Sequence, residues 1–365
     1  MLNVIKQMRQ VSPRIINILL LVGCVALAGL LVVDSPLAMQ GAREGLAISG
    51  QVIIPSLYPF FVVGALFVQL CGNRTRRGKL TWVLFRQPPA ALGAIALGLL
   101  GGYPLGAKTA AQLMERGQIT RAQAQRLQMF CVNAGPAYLI GAVGSGLLGN
   151  RRAGVILFLS MTAASLCLGL CTRFVQGSGA KMQNTKPAAS YKAVPVSFDQ
   201  RLLSSVSQAT KAILGVCAWV VLFSTFAALL RRLPISLWGA IPLLNVFLEV
   251  SSGAVAVVRT NTALPVLCAA LGWGGLGVHC QILGDIKKTG LSLRLFWTTR
   301  LLHGGLAAAF CAQLLRWFPM DVPTAAMAGA PAAVRAFVVS APAAAALLIF
   351  CVFLILELDL NRKIC

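Results

Sequence analysis

Acidic residues are scarce in this chain: nine Asp and Glu among 365 positions, against 32 Lys and Arg. Charged residues of both signs reach only 11%, where soluble domains carry about 25%. A soluble body of this size could not clothe its surface with so few charges. Cytosolic, secreted and disordered classes are thereby excluded. Histidine is scarcer still. With only His279 and His303, and eleven cysteines that never form a CxxC pair, no metal site is expected. The cysteines read as small buried hydrophobes. Nucleophile elbow, phosphate loop and HExxH segment are all missing. No catalytic residue and no cofactor site is therefore assigned, and the chain is not read as an enzyme.

What is present is apolar: 58% of the residues are hydrophobic. They fall into long runs, so the fold class is all-α, a polytopic helical membrane protein. The net charge of +23 would point to nucleic acid in a soluble protein. Here the basic residues punctuate apolar runs, where they anchor helices and attract the lipid bilayer, and nucleic acid is set aside as a partner. Moving a small anion is another use of the same excess.

Residues 15–33 form the first apolar run, preceded by Lys6, Arg9 and Arg14 and followed by Asp34. It reads as a retained membrane helix with a cytoplasmic N-terminus, closing a segment 1–36. A loop carrying Asp34, Arg43 and Glu44 leads to a second span at 51–71, then to the basic loop from Asn73 to Lys79. Residues 175–199, rich in Gly, Ser, Lys, Gln and Pro, read as a polar linker between 37–174 and 200–318. Long helices are expected at 200–231 and 293–318, and a last one at 336–356 within a C-terminal segment 319–365 that ends in a basic tail. The basic residues at Arg151 and Arg152, from Arg173 to Lys192, and at Arg231 and Arg232 cannot all be cytoplasmic if every apolar run crosses once, so either some runs are re-entrant or the positive-inside bias is weak here.

Four apolar segments are interrupted. Residues 89–102 are too short to cross and run into GGYPLGAK, where Pro104 breaks the helix at Tyr103 and a new helix begins. The others are Asn133-Ala134-Gly135-Pro136, Glu249-Val250-Ser251-Ser252-Gly253, and Gly272-Trp273-Gly274-Gly275-Leu276-Gly277. Paired broken helices in two halves are the sequence mark of a transporter site at the bilayer midplane. The halves also share a spacing: Gly102 stands fifteen positions before Gly117, and Gly275 fifteen before Gly290. Spacing leaves open whether the copies are inverted. After Gly117, Thr120 and Gln123 form a capping box, starting a polar, interfacial helix near Arg121.

Ionisable residues inside apolar segments are functional candidates by default. Lys108, one turn beyond Gly106, either meets an anion together with free helix N–H groups or snorkels to the headgroups. Glu249 has no neighbouring cation; it takes a proton or Na+, contacts a substrate, or joins an internal salt bridge. His279 relays a proton or is structural. Asp285, next to Lys287 and Lys288, marks a helix end. Tyr103, Asn133, Ser251 and Gln281 are polar groups at the breaks. The candidate substrate-binding set is Tyr103, Gly106, Lys108, Asn133, Glu249, Ser251, His279 and Gln281.

The pair Pro55-Ser56-Leu57-Tyr58-Pro59-Phe60-Phe61 and GGYPLGAKTAAQL, with Leu244–Glu249, Gly274–Gln281 and Arg300-Leu301-Leu302-His303-Gly304, resembles the YlbJ family of sporulation integral membrane proteins over roughly residues 40–315. The resemblance implies two gate-type repeats, of the nucleoside-recognition kind shared with concentrative nucleoside transporters, containing broken or re-entrant helices. It further implies a multi-pass protein of an endospore-forming bacterium, in the outer forespore membrane. Its implied role is to move dipicolinic acid, pyridine-2,6-dicarboxylate, from the mother cell toward the forespore. Lys108 and the broken-helix N-termini would hold that dianion, with Glu249 protonated, cation-bound or turned away. A nucleoside or other small-metabolite transporter, and a non-transporting scaffold for the spore envelope, are the alternatives. A coupling proton or Na+ and a homo-oligomer stay open.

Overall fold

The computed structural model describes residues 13–71, 79–173, 197–230, 241–259 and 263–320. The basic loop from Asn73, most of the linker 175–199, the Arg231–Arg232 pair, the helix at 336–356 and the basic tail lie outside the described residues. Among those described, the chain is helical throughout, and four helices are long and apolar enough to cross a membrane: Ser35–Phe67, Arg151–Thr172, Phe198–Leu230 and Leu264–Thr289. This is a polytopic all-α membrane protein.

Helix α1 (Pro13–Val33) ends at the turn of Asp34, and α2 (Ser35–Ile48) follows with Pro36 in its first turn. A π-helical stretch, Ser49–Ile53, joins it to α3 (Ile54–Cys71). The loop expected before residue 51 is therefore helix. Its glycines explain the difference: a Cβ on Gly41 would stand 2.8 Å from the Ser224 carbonyl oxygen, and one on Gly45 would stand 2.7 Å from Val221 Cα. The small-xxx-small spacing lets α2 lie directly against α9 (Phe198–Leu230), and packing overrides the poor helix propensity of glycine.

Between them come α4 (Lys79–Phe85), a 3₁₀ turn at Pro89–Ala91, α5 (Leu92–Leu100), α6 (Tyr103–Glu115) and α7 (Arg121–Phe130). The capping box at Thr120 and Gln123 forms with both of its hydrogen bonds. An eleven-residue π-helix, Ala137–Leu147, leads to α8 (Arg151–Thr172), capped by Asn150. Beyond α9 lie α10 (Ile241–Leu248), α11 (Val250–Arg259), α12 (Leu264–Trp273), α13 (Gly275–Thr289) and α14 (Leu293–Trp317).

All four interruptions read from the sequence are breaks in the fold. Gly102, Gly117, Gly274, Gly275 and Gly290 all have positive φ, from 66° to 103°. The repeated spacing thus corresponds to a backbone need, a left-handed residue at the start and at the end of α6 and of α13. These two helices lie side by side and point the same way. Tyr103 at the start of α6 packs on Gly274, and Glu115 near its end pairs with Lys288 near the end of α13, at 3.0 Å.

Candidate functional site

The four breaks meet. A Cβ on Gly135 would lie 2.7 Å from the Leu100 carbonyl and 3.1 Å from Gly102 N, so the second break rests on the first. The Tyr103 hydroxyl donates to the Leu271 carbonyl at 2.7 Å, tying the first break to the fourth. A side chain at Gly275 would stand 2.9 Å from Val250 N, which brings the fourth break against the third. Irregular backbone at membrane depth is tolerated where protein or a polar cavity satisfies it. Here the interruptions pack on one another, and Tyr103 satisfies the Leu271 carbonyl across the junction.

A small cavity of about 30 Å³, partly open to the outside, lies at that junction, so a ligand larger than water requires its walls to part. Gly102, Tyr103 and Pro104 at the start of α6 form one wall, and Ala134, Gly135 and Tyr138 at the start of the π-helix form the next. Glu249, Val250 and Ser251 come from the start of α11, and Val278 and Gln281 from α13. Ile53, Leu57, Val216 and Val220 supply an apolar face. Three helix N-termini therefore border one space, where the helix dipole favours a negative ligand. Both π-helical stretches border it through Ile53 and Tyr138, in keeping with the association of π-bulges with functional sites.

Of the eight candidates from the sequence, Tyr103, Glu249, Ser251 and Gln281 line the cavity. Glu249 is 2% exposed, and its two carboxylate oxygens accept the N–H groups of Ser251, at 2.9 Å, and Ser252, at 2.6 Å. It is the cap of α11, and its charge is directed into its own helix terminus rather than across the cavity. The N-terminus of α6 has no side-chain cap.

Four candidates stand elsewhere. Gly106 is a packing residue: a Cβ there would run into the Cys131 carbonyl, so α6 and the end of α7 are in backbone contact. Lys108 is half-exposed and close enough to Asp285 to act on its charge. Asn133 is fully buried, its Oδ1 accepting the Ala134 N–H at 3.1 Å while Nδ2 has no partner among the described residues. His279 has Nε2 3.0 Å from the Trp273 carbonyl and its ring between Trp273 and Phe296, at centroid distances of 4.3 and 5.2 Å. That places it in the wall of the fourth break, one layer behind the cavity.

Two residues were not singled out. Tyr138 faces the cavity beside Ser251 and Glu249; a signal existed, because only four tyrosines occur in the chain and this one follows a break by two positions. Arg300 is 1% exposed on α14 and donates to the Val132 carbonyl and, at 2.7 Å, to the Met129 carbonyl. It closes the C-terminus of α7 and holds the second break in place, and its guanidinium also lies 5.7 Å from the Phe296 ring. A lone arginine in an apolar run was the available signal. His303, fully buried, joins three helices through Gly272 at 3.2 Å and Ser165 at 3.1 Å.

The chain is similar to the sporulation integral membrane protein YlbJ of Bacillus subtilis (strain 168), with 28% identity over 347 aligned residues covering 84% of this chain and 84% of that protein. No family model matches the chain, and no solved structure matches it.

Proposed function

We propose that this chain is a sporulation membrane protein that transports dipicolinic acid from the mother cell across the outer forespore membrane, with the cavity at the four helix breaks as its substrate site. The observation that carries this reading is the convergence of three helix N-termini on one small, partly open space at broken helices, the arrangement of secondary transporters. The name of the Bacillus relative supports the sporulation context. In this reading residues 37–174 and 200–318 are the two gate-type repeats, and each contributes broken-helix N-termini to the site.

The chemistry fits a small planar dicarboxylate. Tyr103 and Tyr138 offer aromatic surface, the apolar face of Val216 and Val220 packs the ring, and the Gln281 amide and the Tyr103 N–H at the start of α6 offer donors to a carboxylate, Pro104 carrying no N–H and Leu105 bonding to the Gly102 carbonyl. Glu249 lines the cavity, and the engagement of both its oxygens by the Ser251 and Ser252 N–H groups supports the reading in which it does not oppose the dianion. Lys108, outside the lining, is not needed to hold the ligand.

One observation favours a second reading. The described lining contains a carboxylate and no basic side chain, which suits a neutral nucleoside. Uptake of radiolabelled dipicolinate and, separately, of radiolabelled nucleosides into proteoliposomes decides between them. Dipicolinate uptake that other pyridine dicarboxylates inhibit and nucleosides do not, with a proton or Na+ gradient as the driving force, is the expected result. Nucleoside uptake without dipicolinate uptake would establish the second reading, and no uptake of either, with normal sporulation of a Tyr138→Ala strain, would leave the scaffold role.

A further inference from the structure

The cavity does not account for the charges on α6 and α13. Along α6, Pro104 lines the cavity, and Lys108, Gln112 and Glu115 follow it at four, four and three residues. Along α13, Val278 and Gln281 line it, and Asp285 and Lys288 follow at four and three. Such spacing keeps each set on one face of its helix. The two stripes run in the same direction from the cavity and meet at their far end in the Glu115–Lys288 pair.

Both stripes lie on the accessible sides of their helices, as do Met114, Cys280, Leu283, Gly284 and Lys287. Lys108, Gln112, Gln281 and Asp285 are half-buried, and Glu115 and Lys288 are 46% and 54% exposed. Ala107, Ala110, Ala111, Ile282 and Ile286, on the other faces, are buried. Four ionisable groups and two amides in a row would be costly against lipid, so the face they form is wetted. Behind it the two helices are fixed: the buried Gln128 donates to the Ala107 carbonyl at 3.4 Å and the Asp285 carbonyl at 3.1 Å, and accepts from Thr289 Oγ1 at 2.5 Å. The helices are thus pinned at the back and joined at the front by one exposed ion pair.

We propose that this polar seam between α6 and α13 is the water-lined route by which a small carboxylate passes between the cavity and one face of the membrane, with the Glu115–Lys288 pair closing its outer end. The inference rests on the transport reading above. The charges alternate in a way that permits partner exchange. An incoming carboxylate replaces Glu115 at Lys288, next takes the place of Asp285 beside Lys108, and reaches the cavity past Gln281. Lys108 thereby receives a role in passage rather than in holding the ligand.

The test uses the full chain in proteoliposomes and a negatively charged, membrane-impermeant thiol reagent, with modification read peptide by peptide so that native cysteines are separated. Lys108→Cys, Gln112→Cys and Asp285→Cys are expected to react from the same side of the membrane, and the buried Ala111→Cys control to stay unmodified. Modification at Gln112→Cys should lower dipicolinate uptake about tenfold or more while equilibrium binding of dipicolinate persists. Glu115→Lys alone should speed labelling at Gln112→Cys, and adding Lys288→Glu should restore the slow rate. Labelling of none of the three positions, or of Ala111→Cys at the same rate, overturns the route. Equal labelling with and without the charge reversals overturns the closing pair. If the labelling pattern holds but the wild-type chain binds no dipicolinate, the substrate reading falls and the wetted seam is upheld.

Discussion

Helices α6 and α11 both begin at the cavity wall, and their first turns are secured by opposite means. The start of α6 has no side-chain cap and is pressed against Cys131 through the missing side chain of Gly106. The start of α11 is capped by the Glu249 carboxylate on two N–H groups. One terminus is held by packing and keeps its positive end available. The other is held by the Glu249 side chain, which occupies its first N–H groups. A cavity bordered by helix termini is therefore not uniformly electropositive, and its capacity for an anion is concentrated on the α6 side.

Substitutions can break this contrast. The largest effect is expected at Gly106→Leu, which forces side-chain atoms into backbone and should cost about 3 kcal/mol or prevent folding. Size-exclusion profiles and thermal unfolding in detergent would show it, with Gly284→Ala, facing open space, as the silent control. A Gly106→Leu protein as stable as wild type would remove packing as the anchor of α6. Next comes Glu249→Ala, which strands two N–H groups and loses the cap, for about 2 kcal/mol. The Glu249→Gln variant sharpens the point: an intermediate loss means that charge contributes, and full retention of stability means that hydrogen bonding alone suffices. Tyr103→Phe deletes the bond to Leu271 and should cost about 1 kcal/mol in the same unfolding assay. Lys108→Gln should leave the unfolding temperature unchanged and slow uptake; a loss of stability would make Lys108 a structural residue.

The membrane class was legible from charge poverty alone, and the positions of the breaks from Gly and Pro. Backbone chemistry at Gly102-Tyr103-Pro104 or Gly274-Gly275 is local, so it can be read from neighbouring letters. The surroundings of a side chain are not local. Lys108 and Pro104 share a face of α6, but only the packing of α13 decides that the cavity ends between them. Asn133 lies beside two lining residues, Ala134 and Gly135, and turns its amide back onto the chain. Arg300 stands 168 positions from Val132, a distance over which sequence carries no pairing signal. The helical state of residues 35–48 was missed for the same reason, since it depends on the groove that α9 presents to Gly41 and Gly45.

The contact of α2 with α9 has a bearing on how the molecule is made. Translation delivers α2 about 180 residues before α9 is complete, and a delay of about 170 residues applies to Tyr103 and Leu271, Arg121 and Thr289, and Met129 and Arg300. The bonds of Tyr103 and Arg300 that fix the breaks in place each join an early segment to a late one. The first half thus enters the bilayer with its glycine groove, its uncapped carbonyls and its broken helices all unmatched. Assembly is completed only when the second half arrives. A chain cut within 175–199 and supplied as two pieces should recover the fold when both are synthesised together, and neither piece should persist alone.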